Sequence, residues 1–295
     1  MTAPTAHQSE ATAPARRRKR HLPVGHYRGL GAWTVMFFVF LYMPIVVLVV
    51  YSFNESQLAL TWTGFSFDWY AKVLANDSIQ RAAVNSLIIA TCATIAATSI
   101  ATVSALAIAR GGNFKGKTLS FGVVTLPLVV PEIVTAIAVL IFFASLNLNL
   151  GLGNVIIAHT TFCIPFAFMP IRARLSGMDT TLEQAAGDLY ASDWETFRYI
   201  TAPLLMPGII SGAMLSFVIS LDDFIITLMV ATAGSTTLPV YIYSMIRQGI
   251  TPEVNAISTV FLGVSIVLIS AYWLISRHAT MDTSGEVPAK GGEQQ

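Results

Sequence analysis

The sequence predicts an all-α, polytopic membrane protein with six transmembrane helices, on three observations. Of its 295 residues 54% are hydrophobic and only 11% are charged, against about 25% charged in an average soluble domain. The apolar residues come in long blocks, six of which approach the roughly 20 residues that a helix needs to cross the hydrocarbon core. The basic residues then fall into alternate inter-block segments, as an even number of crossings requires. The formal net charge of +1 gives no reason to expect a nucleic-acid partner; the positions of the charges carry the information.

The first block spans residues 31–53 and follows Arg16, Arg17, Arg18, Lys19, Arg20 and Arg28. It is longer than the 7–15 apolar residues typical of a secretion signal and no small-residue cleavage site follows, so it reads as an uncleaved anchor. The second and third blocks cover 82–109 and 119–145, with Arg110, Lys115 and Lys117 near their junction. The fourth, 154–171, is interrupted by His159 and Pro165. Proline is tolerated in a membrane helix where neighbouring helices satisfy the freed carbonyls, which implies a bundle. Pro127, Pro131, Pro165 and Pro170 are candidate bending points. Arg172, Arg174 and Arg198 precede the fifth block, 206–231, and Arg277 and Lys290 follow the sixth, 254–276. Only Lys72, Arg81 and Arg247 fall on the opposite side, which places both termini in the cytoplasm. The expected organisation is a disordered basic tail (1–30), a membrane domain (31–276) and a second disordered cytoplasmic tail (277–295). Cys92 and Cys163 lie inside apolar blocks and read as small buried hydrophobes, not as a disulfide or metal pair.

Two loops carry information. The outer loop from Asn54 to Gln80 holds Trp62, Phe65, Phe67, Trp69 and Tyr70. Such residues form an interfacial belt or a docking surface for an external partner. The inner loop, about 173–205, carries helix-start signals. Asp179 or Thr180 can cap one helix, with Glu183 placed to complete a capping box with Thr180, and Asp193 can cap a second containing Trp194, Phe197 and Ile200. Between them Ala185 and Ala186 give a short helix with a small-residue face. A partner's groove could approach that face closely; an ordinary amphipathic inner loop is the alternative.

This loop resembles the EAA loop of ABC importer permeases, in which Glu-Ala-Ala is followed after three residues by Gly and, about nine residues later, by an apolar residue and Leu-Pro. The matching positions are Gln184, Ala185, Ala186, Tyr190, Ile200, Ala202 and Pro203. Gln184 replaces the usual Glu, with Glu183 adjacent, Tyr190 replaces the usual Gly, and Ala202 replaces the usual Leu. The run Leu182–Ser192 is similar to the version in spermidine/putrescine-type permeases. So are Ser220-Leu221-Asp222-Asp223-Phe224, Leu238-Pro239 with Ile242-Tyr243-Ser244-Met245, Pro252-Glu253-Val254-Asn255-Ala256, Trp62-Thr63-Gly64-Phe65-Ser66 with Trp69-Tyr70, and Asn85-Ser86-Leu87.

The resemblance implies a type I ABC importer permease (MetI-like) fold in the bacterial inner membrane. It implies a homologous second permease subunit, two cytoplasmic ABC ATPase subunits and a periplasmic substrate-binding protein as partners. The coupling residues would be Glu183, Gln184, Ala185, Ala186, Gly187, Asp188, Tyr190, Ala191 and Pro203. ATP and Mg would then bind the ATPase partner, with no cofactor, metal or catalytic residue on this chain. In agreement, the sequence has no G-x-x-x-x-G-K-[ST] phosphate loop; Gly111-Gly112 with Lys115 does not fit the spacing.

Three acids lie deep in the apolar blocks: Glu132, Asp222 and Asp223. A charge near the bilayer centre costs about 2.5–3.5 kcal/mol on insertion scales, so such residues usually face a bundle interior or a watery path. Counted from their cytoplasmic ends, Glu132 and Asp222 both lie about 20–24 Å into the membrane at 1.5 Å per residue. They are candidate substrate-path residues for a polyamine, with Phe224, Phe217 and Phe142 as aromatic walls. Bonding of either Asp to Ser, Thr or backbone across helices is the structural alternative. On a continuous helix the two Asp would point about 100° apart, so that only one would face the path. His159 reads as a hydrogen-bonded packing residue. A secondary transporter would also place acids mid-membrane but usually shows an internal repeat, and none is visible between 31–145 and 154–276. A membrane enzyme would need a catalytic constellation, and none stands in the blocks.

Overall fold

The structure, a computed structural model, describes residues 30–56, 61–249 and 251–281. Of the two tails that the sequence marks as disordered, residues 277–281 are instead the last residues of a helix, and the rest, apart from Leu30, lies outside the described residues. Twelve α-helices are described: α1 (Leu30–Tyr51), α2 (Asp68–Ala75), α3 (Asp77–Arg110), α4 (Lys117–Thr125), α5 (Glu132–Ser145), α6 (Leu152–Ser176), α7 (Thr181–Asp188), α8 (Asp193–Thr196), α9 (Ala202–Asp222), α10 (Ile225–Val230), α11 (Leu238–Gln248) and α12 (Pro252–Met281). Five helical stretches are long and apolar enough to cross a membrane, and the bent pair Lys117–Leu128 and Glu132–Ser145 makes a sixth.

Of the described residues, those up to Val47 belong to one unit and those from Leu48 onward to another. In the first, α1 is a single apolar helix whose side chains are exposed from residue 31 to 47, as suits a helix solvated by lipid.

The second unit is built on α3, α6 and α9, which pack on one another. α3 begins where the Asn76 side chain accepts hydrogen bonds from the amides of Ser78 and Ile79, satisfying donors that have no partner within the helix. One face of α3 is a ladder of fully buried alanines: Ala90, Ala93, Ala97, Ala101 and Ala105. Lipid tails offer no hydrophobic advantage to helix association, so close backbone approach over small residues supplies the contact instead. α9 meets α6 in the same way. A Cβ built on Gly212 would lie 2.6 Å from the Ala167 carbonyl oxygen, and one on Gly208 would lie 2.7 Å from the Arg174 Cβ. One turn further along α9, Ser216 Oγ donates to the Cys163 carbonyl at 3.3 Å and Cys163 Sγ donates to the Ser216 carbonyl at 3.6 Å. The side chains of Phe168, Ile171, Leu175 and Leu205 fill the half of this packing that includes the C-terminal end of α6. Phe143, Phe162, Ile226 and Val230 fill the half where α5 and α10 join it.

Three expectations are corrected. The third span is not one helix. It is bent by 105° between Leu128, where the preceding segment ends, and Glu132, where α5 starts, with Pro131 at the N-cap of α5 (φ −55°, ψ 135°). Proline cannot donate to the preceding turn and disfavours helical geometry in the residue before it, so the bend falls there. By contrast Pro165 and Pro170 sit inside an uninterrupted 25-residue α6. The fifth span also stops early: Asp223 is extended (φ −61°, ψ 131°) and α10 follows as a separate short helix. The two neighbouring Asp are therefore not one-hundred-degree neighbours on a continuous helix. Finally, Cys163 is buried but Cys92 is exposed, and both are free.

The aromatic loop that follows α1 is folded back on itself. Asn54 pairs with Phe65 in an antiparallel bridge, and its side chain bonds to the Thr61 carbonyl and the Thr63 amide. Trp69, buried, donates from Nε1 to the Asn54 carbonyl at 2.9 Å. Phe53 contacts Phe65, Phe67 and Tyr70 at ring distances of 5.1–5.4 Å. A second segment is held by α3: Asn85 Nδ2 donates to the carbonyls of Gly234 and Thr236, and Ser86 Oγ accepts from the Leu238 amide. The roles of Asn85 and Ser86 are therefore to hold the chain between α10 and α11.

Candidate functional site: an inner loop and a membrane carboxylate cluster

The inner loop folds as two short helices. α7 presents Gln184, Ala185, Gly187, Asp188, Leu189 and Tyr190 to solvent, while Glu183 and Ala186 turn inward. Of the two alanines in the small-residue face, only Ala185 is therefore accessible. The capping assignments shift. Thr180 makes no side-chain cap, and the Glu183 carboxylate is occupied elsewhere. Asp179 instead accepts from the Thr181 amide at 3.0 Å, which holds its carboxyl below the ordinary range. The second helix is capped by Ser192, not Asp193, in a full capping box with Glu195. The hydrogen bond from the Ser192 side chain, joined by that from its backbone, holds the Glu195 carboxyl below its ordinary range. Ser-x-x-Glu was present in the sequence as the signal for that cap. After α8 the chain passes through a π-helical turn, Phe197–Thr201, directly into α9.

Tyr190, where the EAA pattern carries glycine, adopts the left-handed conformation at φ 62° and is 96% exposed. The turn keeps the geometry for which glycine is suited, at a cost of roughly 1–2 kcal/mol for a residue with a Cβ. The chain leaves α7 through it: the Tyr190 amide donates to the Gly187 carbonyl and the Ala191 amide to the Ala186 carbonyl. Leu189, Trp194 and Tyr199 of the same loop are also exposed. Pro203 stands just after the π-helical turn, at the start of α9; having no N–H, it cannot donate to that turn.

The membrane acids converge near the break between α9 and α10. The Asp223 carboxylate is almost wholly buried and accepts from the amides of Ile226 and Thr227 and from Thr227 Oγ1, at 3.4, 3.0 and 3.0 Å. His159 of α6 stands over it, with Nε2 3.1 Å from Asp223 Oδ2 and 2.9 Å from Thr227 Oγ1, and Nδ1 2.8 Å from Ser220 Oγ. The set contains serine, histidine and aspartate, and Ser220, His159 and Thr227 are all buried. It is a lock joining α6, α9 and α10. Glu132, half-buried, stands at the start of α5, which packs against α10.

Asp222 has a different environment. It is exposed and lines a cavity of about 570 Å³ between α3, α9 and α12, with Thr94, Phe217, Leu221, Phe261, Leu262 and Ser265 among the walls. That volume falls within the range of small-molecule sites, which are mostly apolar with a few placed polar groups. Thr94 is buried on this wall and its hydroxyl has no hydrogen-bond partner among the described residues. Phe224 does not line the cavity; it packs on Tyr243 of α11 at a ring distance of 4.7 Å. Phe142 is exposed beside Phe143. Among the described residues no group of three or more His, Cys, Asp or Glu is placed to hold a metal ion.

Residues 97–279 match the family model described as binding-protein-dependent transport system inner membrane component. The chain belongs to that family. It is 38% identical over 257 residues to the spermidine/putrescine transport system permease protein PotC of Escherichia coli, covering 87% of this chain and 97% of the relative. It is 40% identical over 247 residues to the putrescine transport system permease protein PotI of the same organism, covering 81% and 88%. Among solved structures it resembles a chain of a bacterial ABC transporter involved in the import of the acidic polysaccharide alginate, with a TM-score of 0.67, 15% identity, and coverage of 84% of this chain and 94% of that one. At that identity the likeness speaks for the fold, which is that of an ABC importer permease.

Proposed function

We propose that this permease carries polyamines, or a closely related small organic amine, as the membrane subunit of an ATP-driven importer. The observation that carries this reading is Asp222: a carboxylate at the wall of an otherwise apolar cavity, with Phe217 and the Thr94 hydroxyl as neighbours. An alkyl chain bearing ammonium groups suits such a wall, by ion pairing at the carboxylate, cation–π contact at the aromatic ring and burial of methylenes between. Glu132, at the start of α5, offers a second carboxyl for a second ammonium. The names of the relatives, which include spermidine and putrescine permeases, support the same substrate class.

In this reading the permease pairs with a homologous second permease, rests on two cytoplasmic ATPase subunits that hold ATP and Mg, and receives substrate from a periplasmic binding protein. Both termini are cytoplasmic. Exposed Ala185, Leu189 and Tyr190 form the docking face for the ATPase, and closure of the ATPase pair moves α7. The membrane bundle opens outward when that state binds its partners better than the inward state does. Import of another small organic ion through the same architecture is the alternative.

The test is the ATPase activity of the purified complex in lipid, with its binding protein loaded in turn with putrescine, spermidine or a neutral amino acid. Stimulation confined to the polyamines supports the reading. Stimulation by the neutral amino acid and not by polyamines overturns the substrate class while leaving the importer.

A further inference from the structure

The cytoplasmic end of the bundle contains one polar contact set that neither the docking face nor the cavity uses. The Glu183 carboxylate accepts from Arg110 Nε at 3.0 Å through one oxygen and from Thr201 Oγ1 at 2.9 Å through the other. Each partner belongs to a different element. Glu183 stands in the first turn of α7, Arg110 is the last residue of α3, and Thr201 ends the π-helical turn that leads into α9. Thr201 is 5% exposed, and the side chains of Arg110 and Glu183 are 29% and 18% exposed. The set is thus shielded on one side and reaches solvent on the other. Each charged partner uses a charge-assisted bond, which is shorter and stronger than a neutral one.

We propose that Glu183 is the positioning residue that transmits movement of α7 to the membrane helices, with Arg110 and Thr201 as its two handles. This rests on the reading of α7 as the element that meets the ATPase. The physical case lies in what else joins α7 to the bundle. Ala186 is the only fully inward side chain of α7, and its methyl group gives little grip. A displacement of α7 carried only by apolar contact could slip. Carried through Glu183, it acts on α3 at Arg110 and on α9 at Thr201 together. α3 and α9 both line the cavity, through Thr94 and through Phe217 and Asp222. The clasp therefore joins α7 to the two helices whose separation sets the cavity's shape. The Phe197–Thr201 turn is the yielding part of this linkage, since a π turn interrupts the regular hydrogen-bond ladder and such turns recur at functional sites. Gln184, the residue that replaces the usual glutamate of the EAA pattern, is exposed, so the neighbouring carboxylate serves the inside while position 184 serves the outside.

The experiment uses the complete importer in vesicles and reads labelled putrescine moved per ATP hydrolysed, a ratio independent of how much complex survives each substitution. Glu183→Gln, Arg110→Gln and the near-isosteric Thr201→Val are compared with the charge swap that combines Glu183→Arg with Arg110→Glu. Each single charge substitution is expected to lower the ratio at least tenfold and Thr201→Val about threefold. The swap, in which an arginine at position 183 can still bond to Thr201, is expected to return the ratio to within threefold of the original. Unchanged ratios in the single variants overturn the proposal, as does a swap no better than the single variants. Leu189→Glu, on the exposed face, is the separate check on α7 as the docking element. If it leaves ATPase association and uptake intact, the underlying reading fails and not merely the clasp.

Discussion

Replacing His159 with alanine is expected to release the break between α9 and α10. The imidazole makes three contacts, at 2.8 Å to Ser220, 2.9 Å to Thr227 and 3.1 Å to Asp223. Removing it leaves the Asp223 carboxylate buried with only its bonds to Ile226 and Thr227. Leaving a buried carboxylate without its partner costs about 3–5 kcal/mol in soluble proteins, whereas interhelical hydrogen bonds in membranes average about 0.6 kcal/mol. A loss of about 2–4 kcal/mol lies between these limits. At roughly 2–4 °C per kcal/mol for a protein of this size, the thermal midpoint of the purified complex in lipid falls by about 4–16 °C. Asp222, the last residue of α9, lines the cavity directly beside this lock, so uptake per folded complex is expected to fall as well. A midpoint within 1 °C of the original, together with unchanged uptake, refutes the lock.

Two further substitutions follow from close contacts. Gly212→Ala places a Cβ 2.6 Å from the Ala167 carbonyl oxygen, so α6 and α9 must separate; a loss of about 1–3 kcal/mol is expected, read as a lower thermal midpoint of the complex. Tyr190→Gly relieves the left-handed tyrosine at φ 62° but adds chain entropy, for a net gain of about 0.5–1 kcal/mol. That corresponds to roughly two- to fivefold slower hydrogen exchange at the Ala191 amide, which bonds to Ala186; faster exchange shows that the tyrosine ring stabilises the turn.

Much of this fold was legible because lipid imposes a simple rule: a long apolar run must satisfy its backbone internally and so becomes a helix. The six blocks and the alternation of Arg110, Arg172 and Arg174 against Lys72 and Arg247 depend on composition alone. The break at Pro131 was half legible. Four prolines were candidate bends, and local sequence does not say that Pro165 and Pro170 would be absorbed into α6 while Pro131 would stand at a break. The early end of α9 was not legible, because it depends on His159, which lies 64 positions from Asp223 in sequence and 3.1 Å away in space. The same holds for Arg110 and Glu183, whose pairing joins two loops on the same side of the membrane. The Ser192–Glu195 cap was fully legible as Ser-x-x-Glu and was masked by the neighbouring Asp193, an equally good cap residue by type.

The most direct measurement is ATP-driven uptake of labelled putrescine by the complete importer in vesicles, comparing the original chain with Asp222→Asn. Asparagine keeps the size of the side chain at the cavity wall and removes its charge, so assembly should persist while uptake falls at least tenfold. Uptake that persists at the original rate contradicts Asp222 as the carboxylate that meets the amine, and no putrescine uptake by the original chain contradicts the polyamine assignment itself.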